Sequence, residues 1–203
     1  MTNIREIAKR SGYSIATVSR YLNGFKYVSK AAEEAITATI QQTDYVPNEL
    51  AREMVTGKSY NIGVVLPHAN HPYYNNLLAG ILNAAFTTDY KIVVLHSEYN
   101  PDLEIEYLEQ LRRKAFDAII FTSRRISLEV LAKYARKNII IGCEDPHDSG
   151  LPAVYLDRPA GNRQIFAWLH QHQVKNPAFL FSRDATQSGT TREVVNGYQE
   201  YFG

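Results

Sequence analysis

The chain has one cysteine in 203 residues. A lone Cys143 cannot form an internal disulfide, and such usage fits a reducing cytosol. It ends an apolar run and is expected to be a small core residue. No apolar run approaches the roughly 20 residues that a membrane helix requires. The N-terminus opens on a polar helical pattern, so neither a membrane span nor a secretory signal is expected. Signatures of nucleotide and nucleophile chemistry are also missing. No Gly-x-Gly-x-x-Gly follows a strand pattern, and Gly57-Lys58-Ser59 imitates the end of a P-loop with Arg52 where the earlier glycine belongs. No Gly-x-Ser-x-Gly elbow occurs. His170 and His172, two apart, fall on different faces of a helix and make a poor metal pair. An enzyme is disfavoured, and no cofactor and no metal are expected.

What is present is uneven. The overall charge of +1 hides a basic head: residues 1–30 hold Arg5, Lys9, Arg10, Arg20, Lys26 and Lys30 against Glu6 alone, a net +5. The remainder then carries −4. A basic head on a slightly acidic body points to a polyanion partner for the head.

Three short helices are expected in that head. Ile4, Ile7 and Ala8 stripe the first, from about Asn3 to Ser11. Gly12 supplies a turn, and Ser14 caps a second helix with Val18 and Leu22 on one face. A third runs from a Ser29 cap through Ala32, Ala35, Ile36 and Ile40 to about Thr43. Ile4, Ile7, Val18, Leu22, Ile36 and Ile40 can share a core. The other face of the second helix carries Ile15, Ala16, Thr17, Ser19 and Arg20, small or polar groups with one long cation. Such a face suits a DNA major groove, because small side chains let the backbone approach and a guanidinium can bond guanine in bidentate fashion. A generic three-helix bundle without DNA is the alternative that this pattern leaves open. The segment after Pro47, from Asn48 to Gly57, reads as a helix of about two turns, too short to be stable alone in water.

From Asn61 the pattern changes to short continuous apolar runs, Ile62–Leu66, Ile92–Leu95, Ala118–Phe121 and Ile139–Gly142, as in strands buried on both faces. Each gap has room for a helix. Leu78, Ile81, Leu82 and Ala85 form one stripe, Ile105, Leu108 and Leu111 a second capped by Asn100, and Leu128, Leu131 and Ala135 a third capped by Ser127. A further helix (Ile165, Phe166, Leu169), a strand Ala178–Phe181 and an amphipathic segment Arg192–Phe202 follow. The fold class is thus an all-α helix-turn-helix head plus an α/β doubly wound parallel sheet, with the C-terminal lobe incomplete. Such sheets bind ligands outside the carboxyl ends of their strands. The loops expected there mix aromatic rings, hydroxyls, amides and carboxylates, which suits a sugar-like molecule.

The run Ala8–Gly24, Val28-Ser29, Tyr45-Val-Pro-Asn48, Leu50-Ala-Arg-Glu-Met54, Thr56-Gly57 and Ile62–Pro67 resembles the LacI/GalR family of bacterial transcription regulators. The resemblance implies a periplasmic-binding-protein-like body, a homodimer and a pseudo-palindromic double-stranded operator. It also implies a cytoplasmic, sugar-responsive repressor that involves no membrane. By position, Ile15, Ala16 and Arg20 would face base edges, with Ser14, Thr17 and Asn23 nearer phosphates and Ser19 on the same face. Tyr45, Asn48, Leu50 and Ala51 would also touch DNA. Met54 stands where the family usually has a leucine wedged into the minor groove, and its length preserves the wedge. The division implied is a head over 1–46, a hinge helix and linker over 47–60, an N-terminal subdomain over 61–157 and the start of a C-terminal subdomain over 158–203. Asn70, Tyr73, Tyr74 and Asp145 would bind the effector. Arg192 is the cation nearest to the family's arginine, whose usual position three residues before Gly197-Tyr198 is Val194 here.

Two other classes share features. A secreted sugar-binding protein would have the sheet without a basic head, and a DNA-binding remnant would have the head without an effector response. Members of the resembled family run on for another hundred or more residues, completing the second lobe and much of the dimer contact. Residues 1–203 alone are therefore expected to dimerise weakly and to show no sugar-dependent change in DNA affinity. Sedimentation equilibrium and gel-shift titration with and without sugars test this, and a sugar-sensitive operator complex would contradict it.

Overall fold

The computed structural model describes residues 2–25, 27–181, 184–185 and 188–203, with the backbone alone at Glu49 and Leu50. Lys26 and the Leu50 side chain lie outside the described residues. The chain divides into two compact units, Met1–Ser59 and Tyr60–Gly203.

In the first unit, helices α1 (Ile4–Ser11), α2 (Ile15–Leu22) and α3 (Lys30–Thr43) each begin on a side-chain cap. Asn3 accepts from the amides of Arg5 and Glu6, Ser14 from that of Thr17, and Ser29 from that of Ala32. Each cap satisfies amides that the first helical turn leaves without partners. Gly12 ends α1 at φ +76°, a left-handed turn in which its amide bonds back to the Ala8 carbonyl. A side chain there would be strained. Ile7, Ala8, Val18, Ala32 and Ile36 are buried together, with Ile4, Leu22 and Ile40 packed partly buried against them. This is the expected core plus two alanines whose small size permits close helix contact.

A fourth helix, α4 (Glu49–Thr56), is fully formed, although its length alone predicts instability. Local bonds account for its ends: Asn48 O accepts from the Ala51 and Arg52 amides, and the Gly57 amide bonds to Glu53 O at 2.7 Å. The Thr56 hydroxyl also donates to Arg52 O.

In the second unit, β1 (Asn61–Leu66), β2 (Lys91–His96), β3 (Ala118–Phe121) and β4 (Ile139–Gly142) form one parallel sheet in the order β2-β1-β3-β4. Registers such as Val64 opposite Val94 and Ile120 align their carboxyl ends. Helices cover both faces, as doubly wound sheets require. α5 (Pro72–Ala85) lies over Val64, Leu66, Ile92 and Ile120, and α6 (Pro101–Arg112) and α7 (Leu128–Ala135) lie over Val65, Ile119, Phe121 and Ile140. Asn100 and Ser127 cap α6 and α7, as expected.

α8 (Arg158–Gln171) and α9 (Gly189–Phe202) pack on each other around the buried Phe166. α9 starts three residues before the expected amphipathic segment. Gly197 is required at their contact, since a β-carbon there would fall 2.6 Å from the Phe166 ring. The strand expected over Ala178–Phe181 does not form. A strand exists only as a member of a ladder, and no described strand lies beside it. Leu180 is fully exposed, and Phe179 turns edge-on to Phe166 instead.

Among the described residues one acidic side chain is fully buried. The Glu104 carboxylate of α6 accepts bonds from the Arg125 and Ile126 amides at 2.8–2.9 Å and from the Ser97 hydroxyl at 3.5 Å. Burial raises its pKa, and these bonds oppose the rise. The carboxylate thereby holds the loop after β3. Glu104→Leu should destabilise the chain by about 2–4 kcal/mol, because two amides lose their acceptor in a dry site. Glu104→Gln retains a carbonyl acceptor and should cost less than half as much. Urea denaturation of both variants checks this, and equal losses would show that the backbone bonds are not what the residue supplies.

Candidate DNA interface and ligand cleft

In the first unit, Val18 anchors α2 in the core, so the helix turns its opposite face outward. Ile15 is 47% exposed, and Ala16 and Arg20 are exposed beside it. Thr17 and Ser19 are half-buried at the edges of this face. Ser14 bonds both the amide and the hydroxyl of Thr17, at 3.1 and 2.9 Å. Asn23 donates its side-chain amide to Ser19 O at 2.8 Å, closing the helix end. Tyr45 is half-buried and packs partly against the head core. On α4, Ala51 is exposed and Met54 is 88% exposed, with Asn48 exposed just ahead of the helix.

The cleft lies in the second unit, where β1, β3 and β4 end and α5, α8 and α9 begin. It is a cavity of about 640 Å³, within the usual range for small-molecule sites. Tyr73, Tyr74, Asp145 and Arg192, all expected at an effector site, line it. Asn70 does not line it. It is exposed, two residues ahead of helix α5, while His71 caps that helix and reaches the wall. Cys143, expected in the core, is half-buried in the cleft wall because β4 ends one residue before it. Burial, with the nearby Glu144 carboxylate adding to it, pushes its thiol up to about 11.

A hydrogen-bonded chain crosses the cleft floor. The Tyr74 hydroxyl meets that of Tyr99 at 2.7 Å, Tyr99 meets Ser123 at 3.2 Å, and Ser123 donates to Glu144 at 2.5 Å. The Arg124 guanidinium lies 3.5 Å from the other Glu144 oxygen and donates to Ile126 O. Burial and the bond to Tyr99 hold the Tyr74 phenol well above its ordinary range, so it stays a neutral donor and acceptor. On the opposite wall, Arg158 at the start of α8 stacks over the Tyr73 ring at 5.3 Å and bonds Thr190 at the start of α9. Glu193 has one carboxylate oxygen buried with no partner among the described residues.

Tyr99, Ser123, Arg124 and Glu144 sit in loops that the strand pattern marks as converging, but nothing in the sequence ranks them above their neighbours. Arg158 and Glu193 carry no such signal, because their place depends on how α8 and α9 pack.

Residues 3–48 match the family model described as bacterial regulatory proteins, lacI family. Residues 59–203 match that of periplasmic binding proteins and sugar binding domain of LacI family. The chain is 36% identical to catabolite control protein B of Bacillus subtilis over 203 residues, covering all of this chain and 65% of that one. It is 33% identical to the ribose operon repressor of Halalkalibacterium halodurans over 164 residues, 80% of this chain and 49% of the relative. The chain thus spans about half to two thirds of the length of these curated relatives. The lac repressor dimer bound to operator and the anti-inducer ONPF superposes with a TM-score of 0.79 at 18% identity, over 98% of this chain and 61% of that one, a likeness of fold. Since one model matches the basic three-helix head and another the sheet with its cleft, the chain belongs to the LacI family of bacterial regulatory proteins.

Proposed function

We propose that this protein is a sequence-specific repressor that binds a pseudo-palindromic DNA operator as a homodimer and answers to a small-molecule effector of the sugar class. The observation that carries this reading is the outward face of α2, where Ile15, Ala16 and Arg20 are exposed while Val18 on the reverse is wholly buried. Small residues on that face let the helix enter a major groove, and Arg20 can take guanine O6 and N7. Ser14, Thr17, Ser19 and Asn23 flank it as hydroxyls and an amide suited to phosphate oxygens. Tyr45, Asn48 and Ala51 continue the DNA surface. The Leu50 side chain, which belongs to the same proposal, lies outside the described residues.

Two further observations support the reading. Met54 and Val55 project from α4 into solvent, and Met54 has the form of a side chain that wedges open a base step. Leu82 on α5 and Phe86 at its C-cap are exposed, which fits a protein whose sheet domains pair. The lac repressor, whose fold this chain shares, is a dimer when bound to its operator. The functional division follows as residues 1–46 for DNA, 47–60 as hinge, and 61–157 with 158–203 forming the two sides of the effector cleft. Asn70, Tyr73, Tyr74, Asp145 and Arg192 are the effector contacts proposed, Asn70 by reaching in from outside the wall. The protein acts in the cytoplasm and catalyses no reaction. Among the described residues, no helix is long and apolar enough to cross a membrane.

Selection of operator sequences from a random duplex pool, followed by gel-shift titration, tests the reading directly. Arg20→Ala should weaken binding to the selected operator by about 1–3 kcal/mol and relax preference at one position in each half-site. Equal losses on operator and random DNA would remove its base-reading role. Met54→Ala should leave the head folded and reduce operator bending in a circular-permutation assay, whereas an unchanged bend angle would exclude the wedge.

A further inference from the structure

We propose that the ligand of the cleft is anionic, a hydroxylated small molecule carrying a phosphate monoester. This deepens the effector reading above and rests on it. Four arginines line the cavity, and one is already matched: Arg124 pairs with Glu144 and bonds Ile126 O. Arg125, Arg158 and Arg192 form no ion pair among the described residues. Two of these three are nonetheless held in place. Arg158 is fixed by the Tyr73 ring and the Thr190 hydroxyl, and Arg192 donates to Ala185 O at 3.1 Å. The backbone of Arg125 is pinned by the buried Glu104. Arg158 and Arg192 are thus positioned by neutral groups, Arg125 is fixed through its backbone alone, and none of the three has an ion pair among the described residues.

Of the cleft carboxylates, two are engaged elsewhere and one, Glu193, feels the charge of Arg158. Glu144 is engaged by Ser123 and Arg124. Asp145 accepts the His147 amide at 2.8 Å and has the His147 ring at 3.4 Å. Glu193 has a buried oxygen with no hydrogen-bond partner among the described residues; burial raises its pKa, and the Arg158 charge opposes the rise.

Backbone dipoles act in the same direction. The first turns of α5, α8 and α9 all contribute to the wall. Each helix is 14 residues long. Amides at a helix start favour anions. A phosphate monoester carries about −1.5 to −2 charges at neutral pH and three acceptor oxygens. Such a group can use several guanidiniums, whereas a single carboxylate would leave most of them unmatched. The Tyr74–Tyr99–Ser123 hydroxyls on the floor remain for the polyol part.

Inorganic phosphate is the probe, since it does not depend on which sugar is attached. The full chain is titrated calorimetrically in an Arg20→Ala background, which reduces binding at the DNA-reading head. Saturable millimolar binding is expected, weakened at least fivefold by Arg125→Ala and by Arg158→Gln. Arg112→Ala, which removes an ion pair with Glu109 away from the cleft, should leave it unchanged. Far-UV circular dichroism confirms that each variant is folded, and Arg125 is exposed enough for its truncation to be tolerated. Phosphate binding that ignores both cleft variants would overturn the inference. Glucose, ribose and sucrose are titrated in parallel. If these neutral sugars bind and Tyr74→Phe weakens them while phosphate is indifferent to the arginines, the anionic ligand is excluded and the effector cleft stands. If neither phosphate nor neutral sugars bind, both readings fall.

Discussion

Four parallel strands in register must deliver their carboxyl ends to one edge, and the second unit of this protein is organised around that edge. Side chains that continue the ladders past the strands sit there by necessity. The Thr122 hydroxyl donates to Val65 O at 2.7 Å, and the Ser97 amide to Leu66 O at 2.9 Å. Backbone polarity left over where the sheet stops is thereby satisfied, and the loops beyond it are pulled close enough to share one cavity. Helices that return on both faces present their starts to the same edge, so a polar concavity follows from topology before any particular ligand is considered.

Glu104 makes this edge rigid. A carboxylate taken wholly out of water is costly unless several donors replace the lost solvent. Here two backbone amides and a hydroxyl do so, and all lie on loops that follow strands. The same carboxylate therefore fixes the segment carrying Ser123, Arg124 and Arg125. From Ser123 the hydrogen-bonded row runs to Tyr99 and Tyr74 in one direction and to Glu144 in the other, so α5, β2, β3 and β4 are joined across the floor by polar contacts of 2.5–3.2 Å. Buried polar rows of this kind cost free energy when broken at any member. That property suits a site that must keep its shape while empty.

The head solves a different problem with small residues. Its helices are 8, 8 and 14 residues long, near or below the length at which isolated helices persist. Stability must come from capping and from a compact shared core. Asn3, Ser14 and Ser29 supply the caps, and Ala8 and Ala32 let the three axes approach around Ile7, Val18 and Ile36. Only one side of α2 is used in this core, which leaves the side with Ile15, Ala16 and Arg20 for a partner. α4 lacks such a core, and Met54 and Val55 remain in water. A helix with its apolar side chains in water is one that a partner can stabilise by covering them.

Much of this was legible in the residues alone. The three-helix head, its caps and central core residues, the four strands and the helices between them follow from hydrophobic period and from Ser, Asn and Gly at turns, which act over a few residues. The loops that meet at the cleft were legible as a class, and Tyr73, Tyr74, Asp145 and Arg192 among them lie on its wall. Tertiary packing alone decided the rest. Ala178–Phe181 has the composition of a strand but no described neighbour to pair with, Cys143 falls one residue past the end of β4, and Asn70 is exposed outside the cavity wall that His71, Tyr73 and Tyr74 line. The roles of Glu104 and Arg158 depend on groups more than 20 residues distant in the chain, the Arg125 and Ile126 amides for one and the Tyr73 ring and Thr190 hydroxyl for the other. Local pattern reports what a residue prefers, and only the folded chain determines which polar group stands opposite it.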